Sequence, residues 1–181
     1  MIISTSTITI SYGDGNGSEI MEATLCILRE AGAKLTIETI EVGERIYNMG
    51  AIYGILPSAW EVLRRNKIFL KSSIIIPEIP ILPQEHTYQH LDIAIYEKLG
   101  LSEEVKIISD LAICHITPDF AMFESYPEAG VQGMLKAAIA MLQHIEQEET
   151  ATRIGNAMQK ITEQNLNIKD YTEAVIAKLW R

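Results

Sequence analysis

From Thr7 to Ser11 polar and apolar residues alternate and are largely β-branched, which predicts a strand. Gly13, Gly15 and Gly17 follow as a tight turn. Ser18 is the expected N-cap of a helix, with Glu19 at its positive end, an apolar face of Ile20, Ala23, Leu25, Ile27 and Leu28, and Gly32 as its stop. Lys34 to Val42 alternates again and predicts a second strand. Pro57 suits the first turn of a helix reaching about Asn66, and Lys67 to Leu70 reads as a short buried strand. Ser72 to Gln84 is irregular and proline-bearing, and helical spacing returns from Thr87 to Leu99, ending at Gly100. Val105 to Ile108 predicts a strand, Asp110 to Cys114 a helical turn, and Phe120 to Phe123 a further strand. Helices are expected over 131–147, 149–165 and 171–180, the last capped by Asp170. Strands alternating with helices imply a layered α/β fold.

The 181 residues suit one domain or at most a small pair, and 48% hydrophobic against 22% charged residues is enough for a real core. A formal charge of −9, from 15 Lys+Arg against 24 Asp+Glu, argues against a nucleic-acid partner and against a polybasic membrane anchor. The densest apolar stretch, Ile74 to Leu82, is interrupted by Pro77, Glu78 and Pro80, so no membrane-spanning segment is expected. The opening residues lack the basic and long apolar regions of a secretory leader. Cys26 and Cys114 read as buried free thiols in a reducing setting, so a cytoplasmic location is expected.

The candidate chemistry is sparse. Gly13-Asp14-Gly15-Asn16-Gly17 sits between a strand and a helix, where a dinucleotide loop would sit. The G-x-G-x-x-G spacing needs glycine at 18, where Ser18 stands, and a structural turn is favoured. His86 and His90 have metal-ligand spacing but no third ligand in a recognisable frame. His115 and Asp119 share that spacing across Pro118, which breaks a helix. Cys114 and His115 are adjacent, so their side chains point apart and cannot form a nucleophile–base dyad. Asp110 reads as a cap, and Trp60 and Trp180 as packing residues.

The run Ile8 to Thr24, with its Gly-Asp-Gly-Asn-Gly-Ser-Glu-Ile core, resembles the opening of isocitrate dehydrogenases in the isocitrate/isopropylmalate dehydrogenase family. The likeness continues through Glu41 to Glu44, Gly54 to Pro57 and Lys67 to Lys71. It resumes at Ser109 to Ala112, Phe120 to Glu124, Ala137 to Leu142 and Tyr171 to Ile176. The resemblance implies the α/β large domain of that family, with residues 1–100 matching its N-terminal part and 105–181 its C-terminal part. Leu101 leads within a few residues to Ser109, so the small domain that the family inserts there is missing. A single α/β domain over 1–181 is expected.

The same resemblance implies a dismantled site. Family members use NAD or NADP with Mg²⁺ or Mn²⁺ in the oxidative decarboxylation of isocitrate. They hold the substrate carboxylates with Ser-x-Asn-x-x-x-Arg, and the matching positions here are His90, Asp92 and Tyr96. Tyrosine cannot replace the bidentate charged fork of arginine. Ile76 stands where a threonine lines the family site. Of two metal-binding aspartates, Asp110 keeps the second and Lys106 replaces the first, and a lysine would repel a divalent ion. Ser125 to Ala129 replaces the adenine-binding loop. No catalytic, cofactor-binding or metal-ligating residue, and no cofactor, is therefore expected. The expected role is a catalytically inactive, isocitrate-dehydrogenase-like protein that binds a protein or small molecule. The alternative is a residual nucleotide- or carboxylate-binding module in a remodelled pocket of Lys71, His90, Asp92, Tyr96 and Asp110, and an active NAD(P)-dependent isocitrate dehydrogenase is the least favoured reading. Loss of the inserted domain would bare an apolar surface, so self-association as a symmetric dimer is expected, with Ile74 to Leu82 at or near the contact.

Overall fold

A computed structural model describes residues 5–77, 89–101, 106–162 and 165–181. Its centre is a mixed six-stranded sheet of β1 (Ser6–Ser11), β2 (Leu35–Thr39), β3 (Ile68–Lys71), β4 (Lys106–Ser109), β5 (Ala112–Ile116) and β6 (Ala121–Ser125). The order is β2-β1-β3-β6-β5-β4. Pairs β1·β2, β1·β3 and β3·β6 are parallel, and β6·β5 and β5·β4 are antiparallel. Strands from both halves of the chain meet at the β3–β6 pair.

Strand periodicity sorts the core into two layers. Ile8, Ile10, Leu70, Cys114 and Phe123 face α1 (Gly17–Glu30), α5 (Gly130–His144), α6 (Glu148–Gln159) and α7 (Ile168–Lys178). Their neighbours Phe69 and Met122 face the other way, onto α3 (Pro57–Asn66) and α4 (Leu91–Leu99). Helix α1 ends as expected at Gly32. The Gly32 N–H reaches Arg29 O and the Ala33 N–H reaches Leu28 O, which is the Schellman pattern.

Several local expectations are corrected. Asp110–Cys114 is not a helical turn, because Asp110 and Leu111 turn the β4–β5 hairpin and Ala112 begins β5. Helix α1 starts at Gly17 with Asn16 at its cap position, so Ser18 lies inside it. Helix α7 starts at Ile168. Its cap is Asn167, whose side chain accepts from the Asp170 N–H at 2.9 Å. The second strand stops at Thr39, while Val42 forms an isolated bridge with Ile55. A five-residue helix, α2 (Glu44–Asn48), was too short to announce itself by periodicity. Gln89 and His90 precede α4 as irregular backbone, and the expected start at Thr87 lies outside the described residues, as do His86 and Val105.

Candidate functional site: a sealed charge network

The C-terminal ends of β3 and β6 carry a lysine and a glutamate in register, Lys71 opposite Glu124. Both follow buried apolar runs, and both share the parity of Phe69 and Met122, so they point to the α3/α4 side. Asp92, in the first turn of α4, reaches the same lysine from above. Lys71 Nζ lies 2.6 Å from Glu124 Oε2 and 2.9 Å from Asp92 Oδ1, and the lysine side chain is only 4% exposed. Burial alone would push the ammonium pKa down, but the attraction of Glu124 and then Asp92 outweighs it and the net shift is upward. Lys71 is a fixed cation, not a general base.

Two further groups extend the network. His115 on β5 is buried, and its Nε2 lies 3.8 Å from Glu124 Oε1 and 3.3 Å from the Tyr96 hydroxyl. Tyr96 stands one helical turn beyond Asp92, which brings both to the sheet side of α4. Burial pushes the His115 pKa down, more strongly than Glu124 and Asp92 raise it. His115 Nδ1 is buried with no hydrogen-bond partner among the described residues. Cys114, its neighbour, sits in the opposite core layer, so the two are not a dyad.

Of the five residues proposed from sequence, Lys71, His90 and Asp92 line one cavity of about 280 Å³. His90 is exposed at the start of α4, and Tyr96 joins through His115. Asp110 is not brought to them. It is exposed at the hairpin tip, 3.4 Å from Lys136 Nζ. An exposed carboxylate already paired with a lysine does not fit a Mg²⁺ or Mn²⁺ ligand. Among the described residues no group of three or more His, Cys, Asp or Glu could hold a metal ion. Glu124 and His115 are the members that sequence reasoning missed. The available signal was that Ile68-Phe69-Leu70-Lys71 and Ala121-Met122-Phe123-Glu124 are apolar runs ending in opposite charges.

The glycine turn has a structural explanation. The Asp14 N–H donates to Ser73 O at 2.9 Å, and Asp14 Oδ2 accepts from the Ile75 N–H at 2.6 Å and the Glu44 N–H at 2.9 Å. A Cβ on Gly17 would lie 2.6 Å from both Ser72 Oγ and Tyr12 O. The loop thus pins the segment after β3, through the Asp14 N–H and the Asp14 carboxylate.

No helix among the described residues is long and apolar enough to cross a membrane. No family model matches the chain. Over 99 residues it is 43% identical to the isocitrate dehydrogenase [NADP] of Rickettsia prowazekii, covering 55% of this chain and 19% of that protein. The corresponding enzyme of Thermus thermophilus is 36% identical over 70 residues, or 39% of this chain and 14% of its own length. These matches span less than a fifth of either relative. A solved isocitrate dehydrogenase from Methylococcus capsulatus superposes with a TM-score of 0.71 at 14% identity, covering 97% of this chain and 100% of that one. A β-decarboxylating dehydrogenase from Thermococcus kodakarensis gives 0.71 at 9% identity and covers 96% of each chain. The chain is therefore related to the isocitrate dehydrogenases in sequence over somewhat more than half its length, and it shares the α/β fold of isocitrate-type dehydrogenases over nearly all of it.

Proposed function

We propose that this chain is a catalytically silent relative of isocitrate dehydrogenase that acts by binding a partner. Residues 1–181 would form one α/β domain closed without the family's inserted small domain. One observation carries the reading. The cation that could have met a substrate carboxylate, Lys71, is buried and held by Glu124 and Asp92. A tricarboxylate would meet a floor of net negative charge and no free arginine fork. The test is isocitrate-dependent reduction of NAD or NADP with Mg²⁺. Roughly 10⁶-fold or more of enzymatic acceleration depends on groups replaced here, so no turnover above blank is expected. Steady production of reduced cofactor by protein freed of host enzyme would sink the proposal.

Self-association belongs to the same reading. Ile75 is 47% exposed and Ile107, on edge strand β4, is 70% exposed. Ile75 lies in the Ile74–Leu82 segment, of which residues 78–82 fall outside the described residues. Exposed apolar side chains on an edge strand and on the segment after β3 favour a symmetric dimer, in a reducing, cytoplasmic setting that keeps Cys26 and Cys114 free. Light scattering across a dilution series decides it. A constant mass of one chain, with elution unmoved by Ile75→Asp, rules the dimer out.

A further inference from the structure

The cavity above Lys71 has two unlike surfaces. Ile74, Ile76 and Ile113 supply an apolar wall, and Lys71, Asp92 and Glu124 a charged floor. Two carboxylates against one ammonium leave one negative charge, and burial keeps His115 from adding a positive one at neutral pH. An incoming anion would have to displace Glu124 or Asp92 from Lys71. A divalent metal fares no better, since the Lys71 ammonium already stands between the two carboxylates. Asp92 is the open member of the network, with its side chain 32% exposed. Tyr126, half exposed, adds an aromatic ring to the lining. At about 280 Å³ the space is fragment-sized, just under the roughly 300 Å³ of the smallest drug-sized pockets.

We infer that this cavity binds a small organic cation on an aliphatic stem, an alkylguanidinium or alkylammonium, with the charge on Asp92 and the stem on Ile74, Ile76 and Ile113. The inference rests on the non-catalytic reading above and names the ligand class of its pocket. Such a cation reaches the site either as a free small molecule or as an arginine or lysine side chain of a partner.

The experiment is a methyl-NMR titration of the isoleucine-labelled protein with butylguanidinium, with an end-capped arginine tripeptide and with isocitrate. Saturable shifts of the Ile74, Ile76 and Ile113 methyls with either cation are expected, weakened about tenfold in Asp92→Asn, the loss of one charge-assisted contact. Preference for butylguanidinium identifies a free ligand, and preference for the peptide a partner side chain. Each outcome supports the site. Absence of shifts at those three methyls up to about 50 mM of both cations overturns it, as does stronger binding of isocitrate there. The readout on unsubstituted protein stands even if Asp92→Asn fails to fold. A protein that neither turns over isocitrate nor binds the cations defeats this inference alone, whereas turnover defeats the reading beneath it.

Discussion

Lys71 and Glu124 are register partners on adjacent parallel strands, one from each half of the chain, and their charges meet at 2.6 Å in the interior. Removing Lys71 leaves Glu124 buried without its cation, removing Glu124 leaves Lys71 with Asp92, and removing both leaves neither charge of the pair behind. Lys71→Met and Glu124→Gln should each cost about 2–4 kcal/mol in urea unfolding, and the double variant clearly less than their sum. Additivity within about 0.5 kcal/mol would mean that the pair is not coupled.

His115 and His144 should make the fold acid-sensitive above the carboxylate range. Burial depresses the His115 pKa, and partial desolvation lowers that of His144, which is exposed at the end of α5 with its ring centroid 5.7 Å from that of Phe123, so His115 carries the effect. Below about pH 6.5 the unfolded chain takes up protons that the folded chain refuses, so stability falls as pH falls through the ordinary histidine value. The loss ends below the depressed folded values. Glu38, held down by Arg65 and then Asn66, contributes its own loss only as pH falls below the ordinary carboxylate range. The urea midpoint should therefore be higher at about pH 7.5 than at about pH 5.5. His115→Gln should narrow that gap, and an undiminished gap in the variant would remove His115 from the account.

Much of this architecture was legible because it depends on local signals. Pro57 at N1 and the Gly32 stop each specify their helix boundary through backbone conformation alone. The site was only half legible, because it is a product of strand pairing. Asp92 and Tyr96 are four apart on one helix and could be read together, and Lys71 stood out as a charge closing an apolar run. Glu124 lies 53 positions from Lys71 in the chain, and only the β3–β6 register brings them together. His115 was read against its neighbours Cys114 and Asp119, but strand alternation sends Cys114 into the other layer and the Pro118 turn carries Asp119 to the surface. Asp110 was misjudged because its role was tied to a motif whose other half, Lys106, has changed.

The glycine turn supplies the remaining prediction, separating a packed loop from a phosphate cradle. Gly15 has φ +60° and, among the described residues, nothing within 4 Å of the place a Cβ would occupy, so Gly15→Ala meets backbone strain, about 1 kcal/mol. Gly17 has no such φ, but its Cβ would press on Ser72 Oγ and Tyr12 O at 2.6 Å, so Gly17→Ala must displace the segment after β3, at about 2–3 kcal/mol. Gly13 combines both penalties, since its φ is +69° and its Cβ would collide with Ser73 O. Asp14→Ala should also destabilise, by about 1 kcal/mol, through the lost bonds from the Glu44 and Ile75 N–H groups, part of which water replaces. The expected order of loss in thermal unfolding without any nucleotide is Gly13→Ala, then Gly17→Ala, then Gly15→Ala and Asp14→Ala together. If Gly17→Ala proves as stable as the unsubstituted chain, and NADP raises the melting temperature of the latter but not of the variant, the loop is a phosphate cradle and its packing role is secondary.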